Sequence, residues 1–257
     1  MSMPGLYVSP EQLMQDRADY ARKGIARGRS LVTLEYLGGI ALVAENASAT
    51  LRKVSEIYDR IAFGGVGRYI EFDQLRIAGV RHAELKGYQY SRSDVEARSL
   101  ANQYAQMLGQ FFTHELKPLE VEIVVVEVGI GGEPNQIYRI QYDGTVMDEE
   151  AYCCIGGDAE AVRERVAAGY SPGLDAIEAI RLACAALAGP EREIAAPDLE
   201  VAVLESIVPD PTHRRRCFRR LDDAEVQAAL SRDAALDDAA KRPQRRPTQH
   251  ALAEEES

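Results

Sequence analysis

No apolar run in the 257 residues approaches the ~20 needed to cross a bilayer as a helix, which excludes an integral helical membrane protein. The opening Met1-Ser2-Met3-Pro4-Gly5 has neither the basic segment nor the apolar stretch of a signal peptide, so a cytoplasmic placement is expected. Cysteine is scarce: Cys153 and Cys154 are adjacent, Cys184 and Cys217 stand alone. That is too few for a disulfide scaffold, and no CxxC or CxxH spacing sets up a zinc site. The four read as small buried hydrophobes in a reducing compartment. A basic surplus is also missing. Lys+Arg number 30 against 41 Asp+Glu, a net charge of −11, which argues against nucleic acid as a partner. His82, His114, His213 and His250 form no i, i+4 pair, so no metal is expected; the two in predicted helices, His82 and His114, read as partly exposed surface residues. No period of 20–50 residues recurs, which excludes a solenoid.

What is present suffices for a core. Hydrophobic residues make up 46%, so wholesale disorder is excluded. Ser9-Pro10-Glu11-Gln12 has the spacing of a capping box and predicts a helix from Pro10 to about Gly24 or Gly28. Ahead of it, Met1–Val8 has no pattern and is expected to be mobile. Ser30–Tyr36 and Ile40–Ala44 flank Leu37-Gly38-Gly39, a hairpin with a glycine turn. Lys53–Asp59 and Arg60–Gly65 predict a second strand pair. Arg68–Leu85 reads as a helix with a loose apolar stripe. Ser93-Asp94-Val95-Glu96 has capping-box spacing, and Leu100, Tyr104, Met107 and Phe111 follow at helical intervals.

Beyond Pro118 the period returns to that of strands. Val121–Val128 is nearly continuous Val/Ile, the mark of a strand covered on both faces. Gln136–Tyr142 and Thr145–Met147 form a hairpin about Asp143-Gly144, and Ala151–Gly156 is a further strand. Helices are predicted over Asp158–Ala168 and Pro172–Leu187, the second with Ser171 as cap and Gly189-Pro190 as stop. Leu199–Leu204 and Arg215–Leu221 are strands, a short helix follows Asp222, and Lys241–Ser257 is a disordered tail. Strands, two helices, strands, two helices, strands: sheets apolar on both faces need covering on both sides. The expected fold is an α/β (α+β) four-layer αββα sandwich in one domain over residues 9–221.

Two local features invite functional readings. Gly64-Gly65-Val66-Gly67 stands between a predicted strand and helix, where a phosphate loop would lie. It lacks the G-x-G-x-x-G spacing and no GK[ST] follows, so a close packing turn is favoured over a small-molecule site. Arg214-Arg215-Arg216 with Arg219 and Arg220 would alternate across a strand and cannot form one anion patch. Solvated or intersubunit charge pairing is the plainer reading.

The stretch Ser30–Glu45, SLVTLEYLGGIALVAE, followed by Leu51-Arg-Lys-Val-Ser-Glu-Ile-Tyr-Asp59, resembles the opening of a proteasome core subunit. In that family, catalytic β-type chains start at a processed threonine with an acid and a lysine beside it. Counted from the Gly38-Gly39 turn, the nucleophile's place falls at Arg29, the acid's at Glu45 and the lysine's near Lys53. Arg29 cannot attack a carbonyl, and the chain runs on upstream of it. Tyr7–Gln12 and Tyr20–Arg27 resemble instead the α-type subunit of actinobacteria. The likeness extends over about Tyr7–Leu221 and departs at Ile130–Asn135 and after Asp222.

The resemblance implies the fold of N-terminal-nucleophile hydrolases without a catalytic residue or cofactor. It implies heptameric rings of this chain capping rings of proteasome β subunits, in the cytoplasm. Met1–Val8 would be a gate, with Met3, Pro4, Leu6, Tyr7 and Val8 packing at the ring axis and Ser9 and Pro10 as hinge. Lys53, with Gly28 and Val66 as neighbours, would line a pocket for the C-terminal tail of a ring-shaped AAA ATPase that unfolds tagged proteins. Neither nucleic acid nor membrane is implied. The rival from another class is an active β-type threonine peptidase of the same fold.

Overall fold

The computed structural model describes residues 9–48, 50–206 and 216–240. Its elements, in chain order, are α1 (Pro10–Ile25), β1 (Leu31–Tyr36), β2 (Gly39–Glu45), β3 (Val54–Tyr58), β4 (Ile61–Gly67), α2 (Tyr69–Gln89) and α3 (Ala97–His114). There follow β5 (Val121–Glu127), β6 (Gln136–Ile140), β7 (Val146–Asp148), β8 (Tyr152–Ile155), α4 (Ala159–Gly169), α5 (Ala176–Ala188), β9 (Leu199–Glu205), β10 (Phe218–Arg220) and α6 (Asp223–Ala240). Two antiparallel five-stranded sheets result, in the orders β10-β9-β2-β1-β8 and β3-β4-β5-β6-β7.

Strand alternation sorts the apolar side chains into three layers of core. Along β5, Val121, Ile123 and Val125 face α2 and α3, meeting Phe72, Leu75, Leu100, Tyr104 and Leu108. Val124 and Val126 point the other way, into a middle layer with Leu31, Ile40, Leu42, Ala202 and Leu204 of the facing sheet. The first sheet's outer face, Val32, Leu34, Val43, Val201 and Val203, packs on Val162, Val166, Ile180, Ala183 and Leu187. This is the expected αββα sandwich, and period 2 in doubly covered strands is what builds it. The helix α6, longer than the short one expected, adds Val226 and Ala229 to the last layer. The tail from Lys241 onward lies outside the described residues.

α1 starts at Pro10 as expected, whereas α3 and α5 start later than their sequence signals, the first for a tertiary reason and the second for a local one. Ser9 does cap α1, accepting from Gln12 N at 3.1 Å, but the Gln12 amide reaches forward to Asp16 rather than back. Ser93–Glu96 does not open α3. Val95 there is buried in the outer core, and Ala97 N–H donates 2.7 Å to the Glu127 carboxylate of β5, a cap supplied from across the fold. α5 starts at Ala176, four residues beyond the expected Pro172, on a capping box of Asp175 and Glu178. The helix α1 packs Ala18, Ala21 and Ile25 against Tyr142 and Phe112. Its Arg17 guanidinium donates to the carbonyls of Phe111, Phe112 and Leu116, at the C-terminal end of α3 and just beyond it.

Candidate functional site

The strands end where β1 begins, and the site is assembled there. Arg29 precedes β1, Glu45 ends β2 and Lys53 precedes β3; antiparallel pairing of β1 with β2 brings the first two together. The Arg29 guanidinium is hydrogen-bonded to the Glu45 carboxylate, and Lys53 Nζ donates 2.7 Å to the Arg29 carbonyl oxygen. The three positions that family counting picked out therefore touch. None carries a hydroxyl or thiol, and Arg29 is peptide-bonded on both sides, downstream of α1. Thr33, four residues on, is fully buried with its hydroxyl unpartnered.

Buried carboxylates organise this end, Glu45 and Glu200 nearest Lys53 among them. Glu45 receives both terminal nitrogens of Arg192 at 2.8 Å besides Arg29. Glu200, on β9, has a side chain only 1% exposed. It accepts from Lys53 N at 2.9 Å, Val54 N at 3.3 Å and the Asn46 amide at 2.8 Å, and pairs with Arg220. A carboxylate so buried persists because its acceptor sites are filled. Lys53 is half-buried among these groups. Burial pushes its ammonium down to about 8; Glu200 opposes the shift and Arg29 adds to it. At neutral pH it is a cation with incomplete solvation, a good partner for a carboxylate.

Gly28 sits beside this group. A Cβ built on it would lie 2.7 Å from Val66 Cγ1, so the chain passes too close to β4 for any side chain. Gly28 lines two clefts: one of about 370 Å³ with Tyr20, Arg27, Arg68 and Glu120, and one of about 280 Å³ with Arg29, Glu45 and Arg192. Val66 is fully buried behind Gly28. Lys53, Gly28 and Val66 are thus brought to one end of the sandwich, linked by Gly65 N donating to the Lys53 carbonyl at 2.9 Å.

The remaining candidates separate. Of the gate segment, Met3, Pro4, Leu6, Tyr7 and Val8 lie outside the described residues, while Ser9 and Pro10 form the capped start of α1. Gly64–Gly67 is no loop: all four lie inside β4, paired to β5. The described arginines of the 214–220 run each take a different carboxylate, Arg216 on Glu56, Arg219 on Glu225 and Arg220 on Glu200. Among the described residues no group of three His, Cys, Asp or Glu could hold a metal ion, and no helix could cross a membrane. Burial raises all four cysteine thiols above their ordinary range. Sequence reasoning missed Glu200. Its signal was an acid in register with the inward-facing Ala202 and Leu204 of an apolar strand.

Comparison with known proteins adds the family. The family model described as proteasome subunit matches residues 25–204. A proteasome subunit alpha of Acidimicrobium ferrooxidans is 60% identical over 230 residues, covering 90% of this chain and 97% of that protein. One from Sanguibacter keddieii is 58% identical over 226 residues, 86% of each chain. One from Kineococcus radiotolerans is 56% identical over 241 residues, 90% of this chain and 99% of the relative.

Proposed function

The chain belongs to the proteasome subunit family, and from that premise we propose that it is a non-catalytic alpha subunit. Seven copies form a ring that caps the β rings, controls access to the proteolytic chamber in the cytoplasm and docks an AAA ATPase delivering tagged proteins. One observation carries this reading: the Lys53 ammonium lies on the carbonyl of Arg29. In a threonine peptidase that place needs a free amine and a hydroxyl; here it holds an internal peptide and an arginine paired to Glu45. The lysine and acid remain as structure, and the lysine is left to bind rather than to catalyse.

Docking follows from the same geometry. The terminal carboxylate of an activator tail would take the remaining N–H donors of Lys53, a charge-assisted bond of ~1.5–3 kcal/mol. Gly28, backed by Val66, supplies wall without side-chain bulk. Gating rests on composition: Met3, Pro4, Leu6, Tyr7 and Val8 are uncharged and can pack against symmetry mates without repulsion. Ser9 and Pro10 give them a fixed base through the α1 cap.

The test compares particles assembled from a β chain and either the full chain or one lacking residues 1–8. The deletion is expected to hydrolyse peptides several-fold faster, with a threonine-directed covalent inhibitor labelling only the β chain. Equal rates would defeat the gate. Labelling of this chain, or hydrolysis by it alone, would favour the peptidase reading.

A further inference from the structure

The loop before β3 is built around Glu200 rather than around itself. Glu200 Oε2 accepts from Lys53 N and from the Asn46 amide, and Oε1 accepts from Val54 N. Arg220, on β10, bridges the same carboxylate and the Val54 carbonyl, the latter at 2.7 Å. Both peptide groups at the root of the Lys53 side chain are thereby fixed from the facing sheet. Asn46 adds a second tie, donating to the Leu51 carbonyl at 2.7 Å. Residue 53 has little torsional freedom left, and its ammonium projects past Arg29 at the sandwich end.

We infer that Glu200 is a positioning residue for docking at Lys53: its carboxylate holds the start of β3 in place and stands as the counter-charge behind the ammonium. The inference rests on the docking reading above. The charged groups around Lys53 come from several elements. Glu200 and Arg220 belong to β9 and β10, Arg29 to the segment before β1, and Glu45 with Arg192 lies one pair further out. Glu200 favours the charged lysine and Arg29 disfavours it. The two neighbours should therefore move the pH range of docking in opposite directions.

The measurement uses particles assembled with the β chain and a fluorescent peptide carrying the ATPase's C-terminal residues, with its amidated twin as control. Affinity of the free-carboxylate peptide should fall as pH rises through about 8, because the lysine loses its proton. Glu200→Gln should move that midpoint down by ~0.5 pH unit or more, ~3-fold weaker binding at pH 9. Arg29→Gln should move it up. A merely structural role for Glu200 would lower affinity equally at all pH values, and an unmoved midpoint overturns the inference. Should Glu200→Gln not assemble because it strands Arg220, the paired variant Glu200→Gln with Arg220→Gln removes both charges. A downward shift is still expected, smaller because the Arg220 charge that disfavours the ammonium goes too, and an unmoved midpoint is equally decisive. Lys53→Ala should bind both peptides alike; retained preference for the free carboxylate overturns the docking reading itself.

Discussion

The two ends of the sandwich differ in how uniformly they bury their acids. Where β1 begins, the acids are inside and the cations outside. Glu45 and Glu120 have side chains 8% and 9% exposed, against 58% for both Arg29 and Arg68. Where β1 turns into β2, a cleft of about 750 Å³ is lined by Glu35, Glu133, Glu149 and Glu150. There Glu133 is 68% exposed and the arginine paired with it, Arg60, only 21%, while Glu149 in the same cleft is 9% exposed against 37% for Arg163. One six-residue strand separates these ends, a length of ~20 Å. A net charge of −11 therefore says little about any one surface. Sign is allocated locally, by which partner of each ion pair is buried.

The largest test of that contrast is Lys53→Ala set against Glu150→Gln. The first should reduce stimulation by the ATPase at least ~10-fold, the value of one charge-assisted bond. The second, at the acidic end, should change it less than ~2-fold, within surface-pair expectations. Equal losses would show that the ends are not distinct. Next come the glycines. Gly28→Ala forces a methyl against Val66 and should cost ~1–3 kcal/mol in chemical unfolding, as overpacking does. Gly131→Ala, at φ 72 in open space, should cost no more than ~1–2 kcal/mol of left-handed strain. Glu45→Gln, which leaves Arg29 and Arg192 half-exposed and unmatched, should cost ~1–2 kcal/mol after solvent screening.

Smallest is Glu35→Gln. Burial raises the Glu35 carboxyl above the usual carboxylate range, with an Asn135 hydrogen bond opposing. The folded chain thus holds that proton more tightly than the unfolded one, and stability falls as pH rises through the raised value. The variant should melt slightly higher than the parent at pH 7. The gap should close below the ordinary carboxylate range. A lower melting point at pH 7 would mean that the ionised carboxylate is stabilising.

Much of the fold was legible because strand periodicity survives its surroundings. Val121–Val128 reads as doubly covered, and Val124 and Val126 do face the opposite sheet while Val125 faces the helices. The hairpin about Leu37-Gly38 is equally local. Helix starts were less legible, since a cap can come from anywhere. Ser93–Glu96 satisfies the spacing of a box, yet burial of Val95 and the Glu127 carboxylate set the start of α3 at Ala97. The site divides the same way. Arg29, Glu45 and Lys53 were found by counting along a resemblance, and their contact is a consequence of antiparallel register. Glu200 lies 147 residues from Lys53, and no local pattern ties the two. A charge on the inward face of β9 announces a buried partner without saying which.

The hook of Arg17 on the end of α3 has a mechanical consequence. Its three carbonyl bonds, with the small apolar patch under Ala18, Ala21 and Ile25, anchor α1 to a helix terminus on the outer layer. Tension applied ahead of Ser9 runs along α1 as along a strut and is delivered to the tip of α3. The same helix also rests on β4 and β5 and leads through Gly28 into Arg29, so part of that pull reaches the sandwich end that carries Lys53.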